Sequence, residues 1–196
     1  MKYVILPLFI IFIYSCASPK YGSQKAVIKQ IEEETKISKQ AIDNTIENMP
    51  DWMTKPPQDV NSIYTTGTYL SKDMQRSIDG ASRNALNELA LTISGNLNSL
   101  VNEYVEETGF ASDSTIINEV SRVTSMEAIN TKIIGHKRVD SKLMRNNQSY
   151  RAFVLIQYPI GEFNKLALQV IKNNKLLESK LKSSDAFKRL EEKANN

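Results

Sequence analysis

The chain has 196 residues, with 25 lysines and arginines against 22 aspartates and glutamates, one histidine, one cysteine and a net charge of +3. So even a balance supplies no strong field for nucleic acid. A lone cysteine rules out an internal disulfide framework, and a lone histidine gives little to build a histidine-based metal cluster or a serine-histidine relay from.

Residues 1–15 open on Met1-Lys2, follow with an apolar run from Tyr3 to Tyr14, and end at Ser15 before Cys16. One positive charge and a short hydrophobic stretch are the layout of a secretory signal. The run is shorter than the roughly 20 residues needed to span a bilayer. Ile13-Tyr14-Ser15-Cys16 resembles a lipobox, although Tyr14 is bulkier than the usual residue there. Cys16 is therefore expected to be acylated after the signal is removed. The plainer alternative is an ordinary signal with a coincidental cysteine. The mature chain would carry a charge of +2, since residues 1–15 hold one lysine and no acid. No aspartate stands at Ala17 or Ser18, which favours the outer membrane and its periplasmic face.

Ala17–Gln24 reads as a flexible tether, and Lys25–Asn48 as a solvated spacer helix with unevenly spread isoleucines. Pro50, Pro56 and Pro57 punctuate the entrance to a globular region. Trp52 lies among them; it reads first as a cap over a core, and second as a ligand-stacking or partner-contacting residue. Ser62–Leu70 is rich in β-branched and aromatic residues and predicts a strand, in which Gly67 marks a bulge or a close helix crossing. Ser71 or Asp73 then caps a long helix with an apolar stripe through Ile78, Ala81, Ala85, Leu89, Ile93, Leu97, Leu100 and Tyr104, ended by Gly109.

Asp113–Ala128 predicts a shorter helix. Two strands follow, Thr131–Leu143 and Ser149–Tyr158, joined by turn chemistry at residues 145–148. The second contains the most apolar run of the mature chain and belongs at the centre of the sheet. Pro159 ends it, Phe163, Leu166, Val170 and Ile171 mark another helix, and Leu177–Ala194 reads as one charged amphipathic helix. The organisation is a signal over 1–15, a lipidated tether and spacer over 16–48, a globular domain over 49–172 and a C-terminal helix over 173–196. The fold expected is α+β: a small three-stranded antiparallel sheet with a long amphipathic helix and shorter helices packed on one face.

Nothing in the sequence singles out a catalytic group, a cofactor site or a metal site. The hairpin gathers Lys132, His136, Lys137, Arg138, Lys142, Arg145 and Arg151 against Asp140. Edge protection of an exposed strand explains such a cluster; contact with anionic lipid, wall polymer or an acidic partner also explains it. Trp52, Lys137 and Arg138 are accordingly the candidate partner surface.

Pro50-Asp51-Trp52, the proline-containing gap and Ile63-Tyr64-Thr65-Thr66-Gly67 resemble the LPP-twenty lipoprotein family, as do Ala81, Arg83, Ala85, Glu88, Leu89 and Ala90 of the long helix. The resemblance covers roughly Pro50 to Tyr158. Met53, Gly80 and the charged C-terminal tail depart from it. The resemblance implies an outer-membrane lipoprotein without catalysis; relatives such as flagellar assembly lipoprotein P contribute to envelope-spanning motility structures. The expectation is a non-enzymatic structural or assembly partner in the cell envelope, held by its lipid and touching an unnamed envelope protein. A homo-oligomer is compatible with it. The alternatives are a regulator contacting a cell-wall synthase and a ligand-binding module using Trp52.

Overall fold

The computed structural model describes residues 22–110, 112–125 and 133–195. It falls into two units, divided between Asp43 and Asn44. The first consists, in its described part, chiefly of helix α1 (Gln24–Glu47), which runs on into the second unit for its last turn. The Ser23 hydroxyl accepts from the amide of Ala26 at 3.2 Å and caps its start. Not one residue of α1 is buried.

The second unit contains α2 (Asp51–Thr54), β1 (Ser62–Ser71), α3 (Met74–Glu107), α4 (Ser114–Val123), β2 (Lys137–Asn146), β3 (Ser149–Pro159), α5 (Ile160–Lys172), α6 (Lys175–Leu181) and α7 (Asp185–Asn195). The three strands form an antiparallel sheet in the order β1-β3-β2, with the most apolar strand in the middle. This is the expected α+β arrangement. The hairpin turn is tighter than residues 145–148 suggest: Asn146 pairs with Ser149 and only two residues lie between. Asn147 adopts φ 54°, the left-handed region that asparagine tolerates.

Helix α3 begins where a side chain can satisfy its free amides. Asp73 is the N-cap, and its carboxylate accepts from the amide of Arg76 at 2.7 Å. It ends in a paired cap, the amide of Gly109 donating to Glu106 and that of Phe110 to Val105. Gly109 has φ +78°, so this stop is one an L-residue would resist. Ala81, Ala85, Leu89, Ile93, Leu97 and Tyr104 are buried as the stripe requires; Val101 joins them, while Ile78 and Leu100 lie at its margin.

Two contacts set how closely α3 lies on β1. A Cβ at Gly67 would stand 2.2 Å from the Ala81 carbonyl oxygen and 2.4 Å from the Ala85 amide nitrogen. The Thr65 hydroxyl also donates to the Ala85 carbonyl at 2.9 Å. Gly67 therefore marks a helix crossing, and the β1–β3 register runs through it without a break. Gly80, an outlier in the sequence pattern, lies beneath the Tyr69 ring, whose carbons would be 2.3 Å from an added Cβ.

At about 1.5 Å per residue α3 is roughly 50 Å long, well beyond a ten-residue strand. Its C-terminal half is covered by helices instead. Ile116, Val120 and Val123 of α4 are buried, as are Phe163, Leu166, Val170 and Ile171 of α5. The C-terminal segment departs from the sequence reading. It is two helices, broken at residues 182–184, where the buried Ser184 hydroxyl accepts from the Phe187 amide at 3.1 Å and caps α7. Leu177, Leu181, Ala186, Phe187 and Leu190 share one hydrophobic cluster with α3 and β3, so the core runs across residue 172. Asn174 ties this junction together: its carbonyl oxygen caps α6 at Leu177 and its amide donates to Glu119 of α4. Arg122 and Asn174, in that order, hold the Glu119 carboxyl below the usual carboxylate range.

Burial has a consequence for alkaline stability. It pushes the phenols of Tyr104 and Tyr158 up from 10.0 to about 12. The folded state keeps these protons where the unfolded chain releases them, so their contribution is intact below pH 10.0 and drains away towards about 12. Urea midpoints measured across that window should fall with pH, alongside a delayed tyrosinate absorbance. A flat midpoint would mean that the two rings are solvated.

Candidate interaction surface

The sheet has two faces, and alternation along the strands assigns them. Ala152, Val154, Ile156 and Tyr158 of β3 join the core with α3. Phe153 and Leu155 point the other way, yet they are only 2% and 4% exposed and lie outside that cluster. Something must cover the second face over the middle strand. It is α2, which lies against β3 and β1. The Thr66 hydroxyl, on the same face as Phe153 and Leu155, donates to the Met53 carbonyl at 3.5 Å. Trp52 and Met53 are half-buried. Trp52 is carried by this short helix.

Strand β2 is placed differently. It is one of the two sheet edges, and every residue from Lys137 to Leu143 is exposed, on both faces. The register sends its basic residues to opposite sides. Lys137 stands opposite Gln157 and Lys142 opposite Phe153, on the α2 side. Arg138 stands opposite Ile156 and Arg145 opposite Tyr150, on the α3 side. A register shift between Arg138 and Asp140 adds a bulge at Val139, a feature that nothing in the sequence pattern announces. Trp52, Lys137 and Arg138 therefore do not share one face: Lys137 lies on the side of α2, the helix that carries Trp52, and Arg138 on the side of α3. His136 is exposed just before the strand; Lys132 and Ala128 lie outside the described residues, as does Cys16.

Next to the edge, the α2 face is bordered by Arg151, opposite Met144, whose Nη1 donates to the Thr68 hydroxyl at 3.5 Å. Its Nε is buried with no hydrogen-bond partner among the described residues. At the other end Gln157 donates to Ser62 at 2.9 Å and to the Tyr64 hydroxyl at 3.1 Å. These pairs make a polar rim around the apolar middle of the face.

A cleft of about 120 Å³ lies between α3 and α7, lined by Leu100, Tyr104, Asn164 and Arg189 among others. It is smaller than the roughly 300 Å³ at which small-molecule sites begin; wider, more open concavities of about 320, 470 and 420 Å³ lie at Gln169, at Phe110 and along α1, and Trp52 lines none of the four. Among the described residues no group of three or more histidine, cysteine, aspartate or glutamate side chains is placed to hold a metal ion. Nor is any described helix long and apolar enough to cross a membrane. The chain matches no family model, no curated protein and no solved structure.

Proposed function

We propose that this chain is a non-enzymatic lipoprotein of the cell envelope, anchored through Cys16 in the outer membrane on its periplasmic face, where it serves as an assembly partner. The resemblance of the Trp52 entrance and the α3 stripe to LPP-twenty lipoproteins supports the placement. The observation that carries the partner role is the edge strand β2, exposed on both faces from Lys137 to Leu143 and holding Lys137, Arg138, Lys142 and Arg145. A long free edge is a hazard unless it is guarded or used. Basic residues and the Val139 bulge guard it against copies of itself, and the same charges suit an acidic partner. As a helix, α1 is about 36 Å long. That reach favours a partner close to the anchoring membrane over one across the whole periplasm.

Two experiments test the proposal. Cys16→Ser should leave the precursor unprocessed and remove the chain from the outer-membrane fraction after a carbonate wash; persistence there would place the anchor elsewhere. Reversing Lys137 and Lys142 to glutamate should abolish recovery of the partner captured with the wild-type lipoprotein from envelope extracts, without altering the melt. Unchanged recovery would remove the edge from the interface.

A further inference from the structure

Helix α1 is long and buries none of its 24 residues. Val27, Ile28, Ile31, Ile37, Ile42 and Ile46 are each about half exposed or more. An isolated helix of this length gains little from its own hydrogen bonds, and β-branched residues are not the ones that raise helix propensity. A stripe of this kind is ordinarily stabilised by a partner surface.

The spacing says what kind of surface. Ile28, Thr35 and Ile42 recur every seven residues, and Ile31 and Ser38 fall three places after the first two. These are the a and d positions of a narrow two-helix seam. Val27 flanks it and Ile37 lies off it. A bilayer surface suits the helix less well. Lys25, Lys29, Lys36 and Lys39 are outnumbered by Glu32, Glu33, Glu34, Asp43 and Glu47, whereas membrane-lying helices carry an excess of lysine and arginine.

We propose that α1 pairs with α1 of a second copy as a parallel two-stranded coiled coil. In that alignment the g-position Glu34 of each helix faces the e-position Lys39 of the other, which makes two reciprocal ion pairs across the seam. Isoleucine meets isoleucine at the Ile28, Ile31 and Ile42 layers, and hydroxyl meets hydroxyl at Thr35 and Ser38. β-Branched residues at the a positions favour two parallel strands. An antiparallel pair centred between Thr35 and Ser38 would instead set Ile28 against Thr45 and lose the isoleucine-to-isoleucine layer there. The hydroxyl layers make the seam weak alone, so the association is a reversible one that local concentration strengthens. The pairing does not rest on the envelope proposal, because it requires only α1.

Disulfide trapping tests it on the full chain in mild detergent, with Cys16→Ser removing the native thiol. Thr35→Cys should oxidise to a dimer on a non-reducing gel, and Gln40→Cys, on the outward face, should not. Ile31→Asp added to Thr35→Cys should abolish the dimer. Sedimentation should show Glu34→Lys weakening association about tenfold, and Glu34→Lys with Lys39→Glu restoring it. The antiparallel arrangement places Lys39 opposite Glu32, so there the double exchange would weaken association further. No dimer from Thr35→Cys, a dimer that survives Ile31→Asp, or failed rescue by the double exchange would each overturn the proposal.

Discussion

Gly67→Ala should destabilise the domain by about 3 kcal/mol or more, at the upper end of what overpacking costs. The added methyl would meet backbone on α3, at Ala81 and Ala85, and neither can rotate aside as a side chain would. Relief must come from lifting the helix off β1, which also stretches the bond from Thr65 to the Ala85 carbonyl. Ala85→Leu should act in the same direction, since Ala85 is fully buried at the same crossing. Gly95→Ala provides a control of opposite sign. It lies on the same helix with nothing within 4 Å of its added Cβ, so it should stabilise by about 1 kcal/mol through helix propensity. Urea unfolding of the three variants checks this. A neutral Gly67→Ala would mean that α3 and β1 are further apart than described.

Phe187→Ala should cost about 3–5 kcal/mol, the range for deleting a buried aromatic ring. Phe187 is 3% exposed and belongs to the cluster that includes Leu97 and Tyr104. The adjacent Lys188 faces solvent and pairs with Asp185 at 2.9 Å on the surface, so Lys188→Ala should leave the urea midpoint where it is. A chain stopped at Lys172 should lose its cooperative melt, because the C-terminal half of α3 would be stripped of Leu177, Leu181, Phe187 and Leu190. If that shortened chain melts like the full one, α6 and α7 are attachments to the core and not members of it.

The contrast between Phe187 and Lys188 shows why the tail was the hardest segment to read. Its charges alternate with apolar residues at helical spacing, a pattern equally suited to a solvated helix and to one that covers a core. Only the length of α3 decides, because a helix that outruns its sheet leaves Leu97, Val101 and Tyr104 to be buried by something else. Ser183-Ser184 was the available sign of the break. The stripe on α3, its Asp73 and Gly109 ends and the central place of β3 are local and periodic, and so were legible. The unbroken run from Ala152 to Ile156 held a further message. A strand apolar at successive positions is buried on both faces, so Phe153 and Leu155 announced that a second cover, α2, had to exist. The division of Lys137 and Arg138 between faces was not legible. It depends on register and on the Val139 bulge, which one-dimensional charge clustering does not encode.

The sheet's strand order has a consequence for how the chain comes to be folded. β1 pairs with β3 along its whole length, Ser62 with Pro159 and Ser71 with Tyr150, so most of the domain must be synthesised before β1 finds its one neighbouring strand among the described residues. Until then α3 has only β1 beneath its alanine-lined crossing, and the strand that completes the platform is missing. Long loops must close before such pairings are rewarded, which slows the search. Under the export proposed above, that order would leave the sheet unclosed while the chain is threaded through a membrane channel, and the last helices to emerge complete the core.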